Sequence, residues 1–251
     1  MSSSLLAVVN DQLTAVGGSL QDGNGRVKSF SSTLLSFKDT GVWAENEFPH
    51  MPTKRDSTLS LNVGSVLLVA GEHTTGGAIL KTIEILCTKT LQWTTAPSLP
   101  IPLQNASGAV CGGQVYVLGG VSKNFFESKA VFTCSVNFLV KLCEPKSLGA
   151  RLVSSLTTTN LWSRLADVPV SKSTCASFCG YLLAVGGEDS RYAPTKAIHM
   201  YNPMLNSWRV VSQMSVARSN CLVAPLHGNR LMVGGRAGVG RNNSIEIASV
   251  I

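Results

Sequence analysis

The chain has 251 residues, of which 44% are hydrophobic and only 14% charged, so it can bury a sizeable core and is not a disordered polymer. Its 21 Lys and Arg against 14 Asp and Glu leave a net charge of +7, but the cations are scattered, with small groups at Lys54-Arg55 and Arg236 to Arg241, which argues against nucleic-acid binding. No apolar run approaches the ~20 residues that cross a bilayer, and the N-terminus lacks the basic start and cleavage site of a secretory signal, so neither a membrane nor an export role is expected.

Taken in chain order, the predicted elements fall into five similar units. The first unit has strands at SLLAVV (4–9), LTAVGG (13–18) and STLLSF (32–37), then a fourth beginning at Trp43. The second repeats this as TLSLNV (58–63), LLVAG (67–71), TIEILC (82–87) and Trp93. SGAVC (107–111), VYVLGG (115–120), AVFTCSV (130–136) and Trp162 make the third. CASFC (175–179), LLAVGG (182–187), AIHMYN (197–202) and Trp208 make the fourth. The fifth has NCLVAP (220–225), LMVGG (231–235) and SIEIAS (244–249), with no Trp.

Two independent markers share this beat. Glycine-terminated runs end at Gly18, Gly71, Gly120, Gly187 and Gly235, at intervals of 53, 49, 67 and 48 residues. The four Trp are separated by 50, 69 and 46 residues, with the long interval in the same place. The segments are five to seven residues long between Gly, Asn, Asp and Pro clusters, and none shows a capped helical period. The class is therefore all-β. A sheet of about 50 residues cannot cover both of its own faces, so copies stack around an axis, which is the logic of a β-propeller. A large Trp at the start of each outer strand is expected to fill the space between blades.

An apolar run ending in Gly-Gly, a third strand, Trp 21–25 residues later in most units and then Pro or Met resembles the kelch repeat. The trailing Pro49, Pro100, Pro169 and Met214 fit it, as do the basic residues Arg55, Lys172 and Arg218 that follow. The second unit departs, with Gln104 at the basic position and Glu72 in place of a second glycine. The resemblance implies a propeller with about five four-stranded blades, near 1–57, 58–107, 108–174, 175–220 and 221–251, the last incomplete. It suggests a fragment of a longer chain. The extra residues between Cys134 and Trp162, Leu148 among them, are expected to form an exposed surface loop.

Chemistry is sparse. There is no phosphate loop, HExxH or GxSxG, and GRAGVGRNN (235–243) leads into a strand where a dinucleotide site needs a helix. The four His occupy different units and strand positions, which disfavours a copper site, and no C-x-x-C supports zinc. Glu84 and Glu246 recur at one third-strand position, which marks a structural hydrogen-bonding place rather than a glycosidase pair. The seven cysteines read as small core residues of a reducing, cytoplasmic compartment. No cofactor is expected.

Kelch resemblance implies instead a non-catalytic module that presents loops of one propeller face to a partner protein, as an adaptor or scaffold. The alternatives are a propeller enzyme of copper-oxidase or glycosidase type, or an actin-binding kelch protein. The candidate partner-binding residues are Arg55, Lys172, Arg218, Arg236, Arg241, Glu72, Asp189 and Arg191. Their mainly basic character points to an acidic or phosphorylated segment of the partner.

Overall fold

Every unit's apolar run becomes the second strand of an antiparallel sheet, because the turn-forming residues on either side confine the chain to short extended segments. A computed structural model describes residues 5–22, 24, 27–45, 48–73, 78–123, 126–143, 161–237 and 244–250. The chain divides into two compact units, one of residues 1–106, 122–124 and 134–162, the other of residues 107–121, 125–133 and 163–251.

In the first unit, β1 (Leu5–Val9), β2 (Gln12–Val16), β5 (Leu34–Phe37) and β6 (Trp43–Glu45) form one meander in that order. A separate hairpin, β3 (Ser19–Gln21) and β4 (Val27–Phe30), rises between its second and third strands. That hairpin departs from the loop expected there. The second blade is β7 (Leu59–Val63), β8 (Val66–His73), β9 (Ile79–Cys87) and β10 (Gln92–Ala96). Blades one and two meet face to face. Val9, Val16 and Leu34 of the first interlock with Leu67, Val69 and Leu86 of the second, all buried.

The third blade comprises β11 (Ser107–Cys111), β12 (Gln114–Leu118), β13 (Val131–Ser135) and β14 (Ser163–Leu165). The insertion that follows β13 opens with a helix, α1 (Val136–Lys141), where sequence patterning points only to loop. Leu139 explains it: one fully buried apolar side chain anchors a segment too short for a readable helical period. Leu148 lies outside the described residues.

Six strands then form one continuous sheet: β15 (Thr174–Phe178), β16 (Tyr181–Val185), β17 (Thr195–Asn202), β18 (Ser207–Leu226), β19 (Arg230–Ala237) and β20 (Glu246–Ser249). The 20-residue β18 serves two blades. Its start pairs with β17 as the outer strand of blade four, and its end pairs with β19 as the first strand of blade five. The register breaks next to Arg218, where the two halves meet. The other joins carry Pro49 and Pro52, or Pro97, Pro100 and Pro102, or Pro169, whereas residues 207–224 contain neither Pro nor Gly. With no Pro to remove a ladder N–H and no Gly to loosen the backbone, the strand does not end. Blade five has three strands among the described residues.

The recurring glycines are required by backbone approach. Gly17 and Gly186 hold φ of +62° and +61°, and a Cβ would lie 2.8 Å from the Arg55 carbonyl oxygen and 2.5 Å from that of Arg218. Only Gly combines that dihedral with that contact.

Three Trp reach back to the preceding blade. Their indole N–H groups donate to Pro49 O from Trp93 (2.9 Å), to Pro97 O from Trp162 (3.0 Å) and to Ala166 O from Trp208 (3.0 Å). Trp43 holds the same strand position, paired with Phe37, yet is half exposed and donates to no carbonyl among the described residues. Trp162→Ala is therefore expected to cost about 3–5 kcal/mol, as for other buried aromatics. Trp43→Ala should cost about 1 kcal/mol. Urea midpoints measure both, and equal shifts would contradict the assignment.

Candidate functional site

At the joins after blades one and four the chain passes over the glycine end of the preceding second strand, and the arginine it carries there turns into the fold. In the first unit, Gly18 donates its N–H to Arg55 O at 2.9 Å, and Arg55 N–H donates to Ser31 O at 3.1 Å. The guanidinium then turns inward. Nε donates to Glu84 Oε2, Nη1 to Thr82 O and Nη2 to Thr82 Oγ1, each at 3.2 Å. Thr53 Oγ1 donates to the other Glu84 oxygen at 2.5 Å. Arg55 is 0% exposed.

Arg218 repeats the arrangement in the second unit. Its carbonyl accepts from Gly187 N–H at 2.8 Å, Nη1 donates to Gly235 O at 3.0 Å, and Nη2 to Ser244 Oγ at 2.8 Å, with Glu246 Oε2 at 3.6 Å. Ser215 and Val216 complete the Glu246 shell. Burial works to raise the Glu246 carboxyl, but the hydrogen bonds from Ser215 and Val216 and the Arg218 charge outweigh it and hold it below the usual range. Arg218 too is 0% exposed. The expectation that Arg55 and Arg218 face a partner is thus corrected. Buried guanidinium groups must be paired, and the recurrent third-strand Glu supplies the pair.

Lys172 occupies the same position one blade earlier and finds a different partner. Third-strand register puts His199 where Glu84 and Glu246 stand, since Ile83, Ile198 and Ile245 precede them alike. Lys172 Nζ instead lies 2.7 Å from both Glu127 and Glu188. Ser219 Oγ donates to the second Glu188 oxygen at 3.0 Å. Hydrogen bonds to Glu127 and then Glu188 raise the Lys172 ammonium above its ordinary value. For Glu127, burial pushes upward, but Lys172 and Ser171 prevail and lower it. Glu127 was not singled out from sequence. Two carboxylates around one ammonium leave no surplus positive charge there.

Asp189 and Arg191 lie on the loop after the blade-four glycines. Asp189 Oδ1 accepts the N–H groups of Arg191 (2.8 Å) and Ala193 (3.0 Å), and its carbonyl accepts from Tyr192 (3.1 Å). The Ala193 and Arg191 bonds keep the Asp189 carboxyl below its ordinary range. This ordered turn holds Tyr192 at φ +62° and 72% exposed, next to an exposed Arg191 that forms no salt bridge among the described residues. Glu72 lies in β8 opposite Leu80, and Arg236 in β19 directly after Gly235. Arg241 is outside the described residues. Among the described residues no group of three or more His, Cys, Asp or Glu could hold a metal ion, and no helix is long and apolar enough to cross a membrane. Five of the seven free thiols are buried, whereas Cys179 is exposed and Cys143 half-buried.

These features define a repeat propeller with ion pairs at three of its blade joins, those of Arg55, Lys172 and Arg218. The kelch motif matches residues 170–215. Kelch-like ECH-associated protein 1B of Danio rerio is 38% identical over 89 residues, 34% of this chain and 15% of that protein. The F-box/kelch-repeat protein At1g67480 of Arabidopsis thaliana is 29% identical over 90 residues, 35% of this chain and 24% of its own length. Kelch-like protein 38 of Rattus norvegicus is 26% identical over 208 residues, 68% of this chain and 34% of the relative. The chain thus spans a minor part of the curated relatives it matches. The solved structure of YjhT superposes with a TM-score of 0.71 at 15% identity, covering 98% of this chain and 79% of that one. The chain carries a kelch motif, is similar to kelch-like proteins over much of its length and has a β-propeller fold.

Arg55→Met leaves Glu84 buried without its cation and should cost about 3–5 kcal/mol. The double variant Arg55→Met with Glu84→Leu should recover most of that. A double variant as unstable as the single one in urea would contradict the pairing.

His199 gives a pH signature. Burial lowers its pKa from 6.5, and its Nδ1 has no hydrogen-bond partner among the described residues. The unfolded chain binds a proton below about pH 6.5 that the native state refuses, so stability falls as pH drops from 7 toward the lower folded value. Phe132 occupies the same register position in blade three. His199→Phe should flatten the urea midpoint between pH 7 and 5, and an unchanged slope would count against it.

Proposed function

We propose that the chain is a non-catalytic protein-binding module and that the turn Asp189–Tyr192 is its principal contact in the second unit. The observation that carries this is the division of the cations. Arg55 and Arg218 are neutralised inside the fold and the half-buried Lys172 by two carboxylates, while the exposed Arg191 stands beside an exposed Tyr192 on a turn already ordered by Asp189. Preorganisation reduces the ordering cost of binding, and Arg with Tyr is the composition of interaction hot spots. Arg191 offers a fork for a carboxylate or phosphate, and Tyr192 an apolar body with a polar tip. The partner segment is accordingly acidic or phosphorylated. The name of the Danio rerio relative describes it as ECH-associated, which supports an interaction role. Seven free cysteines fit a cytoplasmic setting.

An array of acidic, phosphorylated and basic peptides tests this reading. Acidic or phosphorylated peptides should bind, and Arg191→Glu should weaken them by roughly 1.5–3 kcal/mol, the scale of a charge-assisted hydrogen bond, with Tm unchanged. Preference for basic peptides, or full binding by Arg191→Glu, would refute it.

A further inference from the structure

The first and last blades each leave one apolar face uncovered, and the two faces are of opposite kind. In blade one, Leu6 pairs with Ala15, Val8 with Leu13 and Phe37 with Trp43, which puts these side chains on one side of the sheet. Leu6 is 57% and Trp43 42% exposed, with Val8, Leu13 and Phe37 similarly open. The other side of the same sheet is the buried Val9, Val16 and Leu34. Counting from Gly17 and Gly71, Leu13 corresponds to Leu67, and along the third strand Phe37 corresponds to Leu86. Leu67 and Leu86 are the residues that blade two buries against blade one. The open side of blade one is therefore the side that its successor covers with a preceding blade.

Blade five is open on its opposite side. Leu222 lies across from Gly234, and Met232 from Ile247. Leu222 is 76% and Ile247 58% exposed, and Ile245 is exposed beside them. Leu222, Ala224, Met232, Gly234 and Ile245 line a groove of about 200 Å³. The reverse side, with Leu231, Val233 and Ala248, is buried against Leu183, Val185 and Ile198 of blade four. Ile245 corresponds to Ile83 and Ile198, and Ile198 is covered by the blade that follows its own.

We propose that these faces meet between molecules: blade five of one copy docks on blade one of a second copy. The contact continues the packing that joins blade one to two and blade four to five, with the bulky Phe37 and Trp43 set against a surface hollowed at Gly234. Exposed apolar patches of this kind mark interaction sites. Because the two faces differ, the interface is heterologous, and copies add head to tail rather than as a two-fold pair.

Sedimentation of the 251-residue chain over a wide concentration range tests this. The wild type should associate. Phe37→Glu spoils only the blade-one face and Ile247→Glu only the blade-five face, so each alone should weaken association at least tenfold. Mixed, the two variants each retain the complementary intact face and should form a 1:1 complex. Leu6→Glu replaces Phe37→Glu if circular dichroism shows that the latter does not fold. Arg191→Glu should associate as wild type does, which separates this result from peptide binding. A wild type that stays monomeric at every concentration overturns the proposal. So does association that persists in either face variant, which would mean a like-with-like contact, or a mixture that forms no complex.

Discussion

A four-stranded sheet with apolar side chains on both sides exposes too much oil to stand alone in water, and this constraint governs the molecule. At roughly 25 cal/mol per Å², covering such faces is the main favourable contribution available to a chain with few charges and little helix. Each blade therefore needs a neighbour on either side. The clusters joining blades one and two, three and four, and four and five show how that is met within each unit. Tight stacking in turn demands that the loop between blades pass close over the glycine end of the second strand. Positive-φ glycine there and an inward basic residue in the loop are two consequences of one close approach.

The ion pairs follow from the same geometry. A loop pressed onto the strand ends buries whatever side chain it carries, and an Arg there is tolerable only with a carboxylate and carbonyls within reach. Arg55 with Glu84 and Arg218 with Glu246 satisfy this. Where the third strand offers His199 instead, the loop carries Lys172, whose flexible ammonium reaches two other carboxylates. Binding capacity is thereby moved away from the recurrent cations and onto the loops that vary between blades.

The strands were legible because they recur: glycine-ended runs in five units and Trp in four set the frame. The fate of the cations was harder to read, since composition counts a paired Arg and a free one alike. A signal did exist. The units joined through Arg55 and Arg218 carry Glu84 and Glu246 about the same distance downstream, whereas Gln104 and Lys172 are followed there by Phe132 and His199. The fused β18 was readable too, from the missing Pro and Gly, once the other joins are seen to depend on them. The hairpin β3–β4 and the helix α1 were not, because neither repeats and each is too short to show a period.

Solvent exchange of the four indole N–H protons, followed by NMR, tests blade-on-blade stacking most directly. The account predicts slow exchange for Trp93, Trp162 and Trp208, whose protons are held by carbonyls of the preceding blade, and rapid exchange for Trp43 in the monomer. Four protons exchanging at one common rate would contradict it.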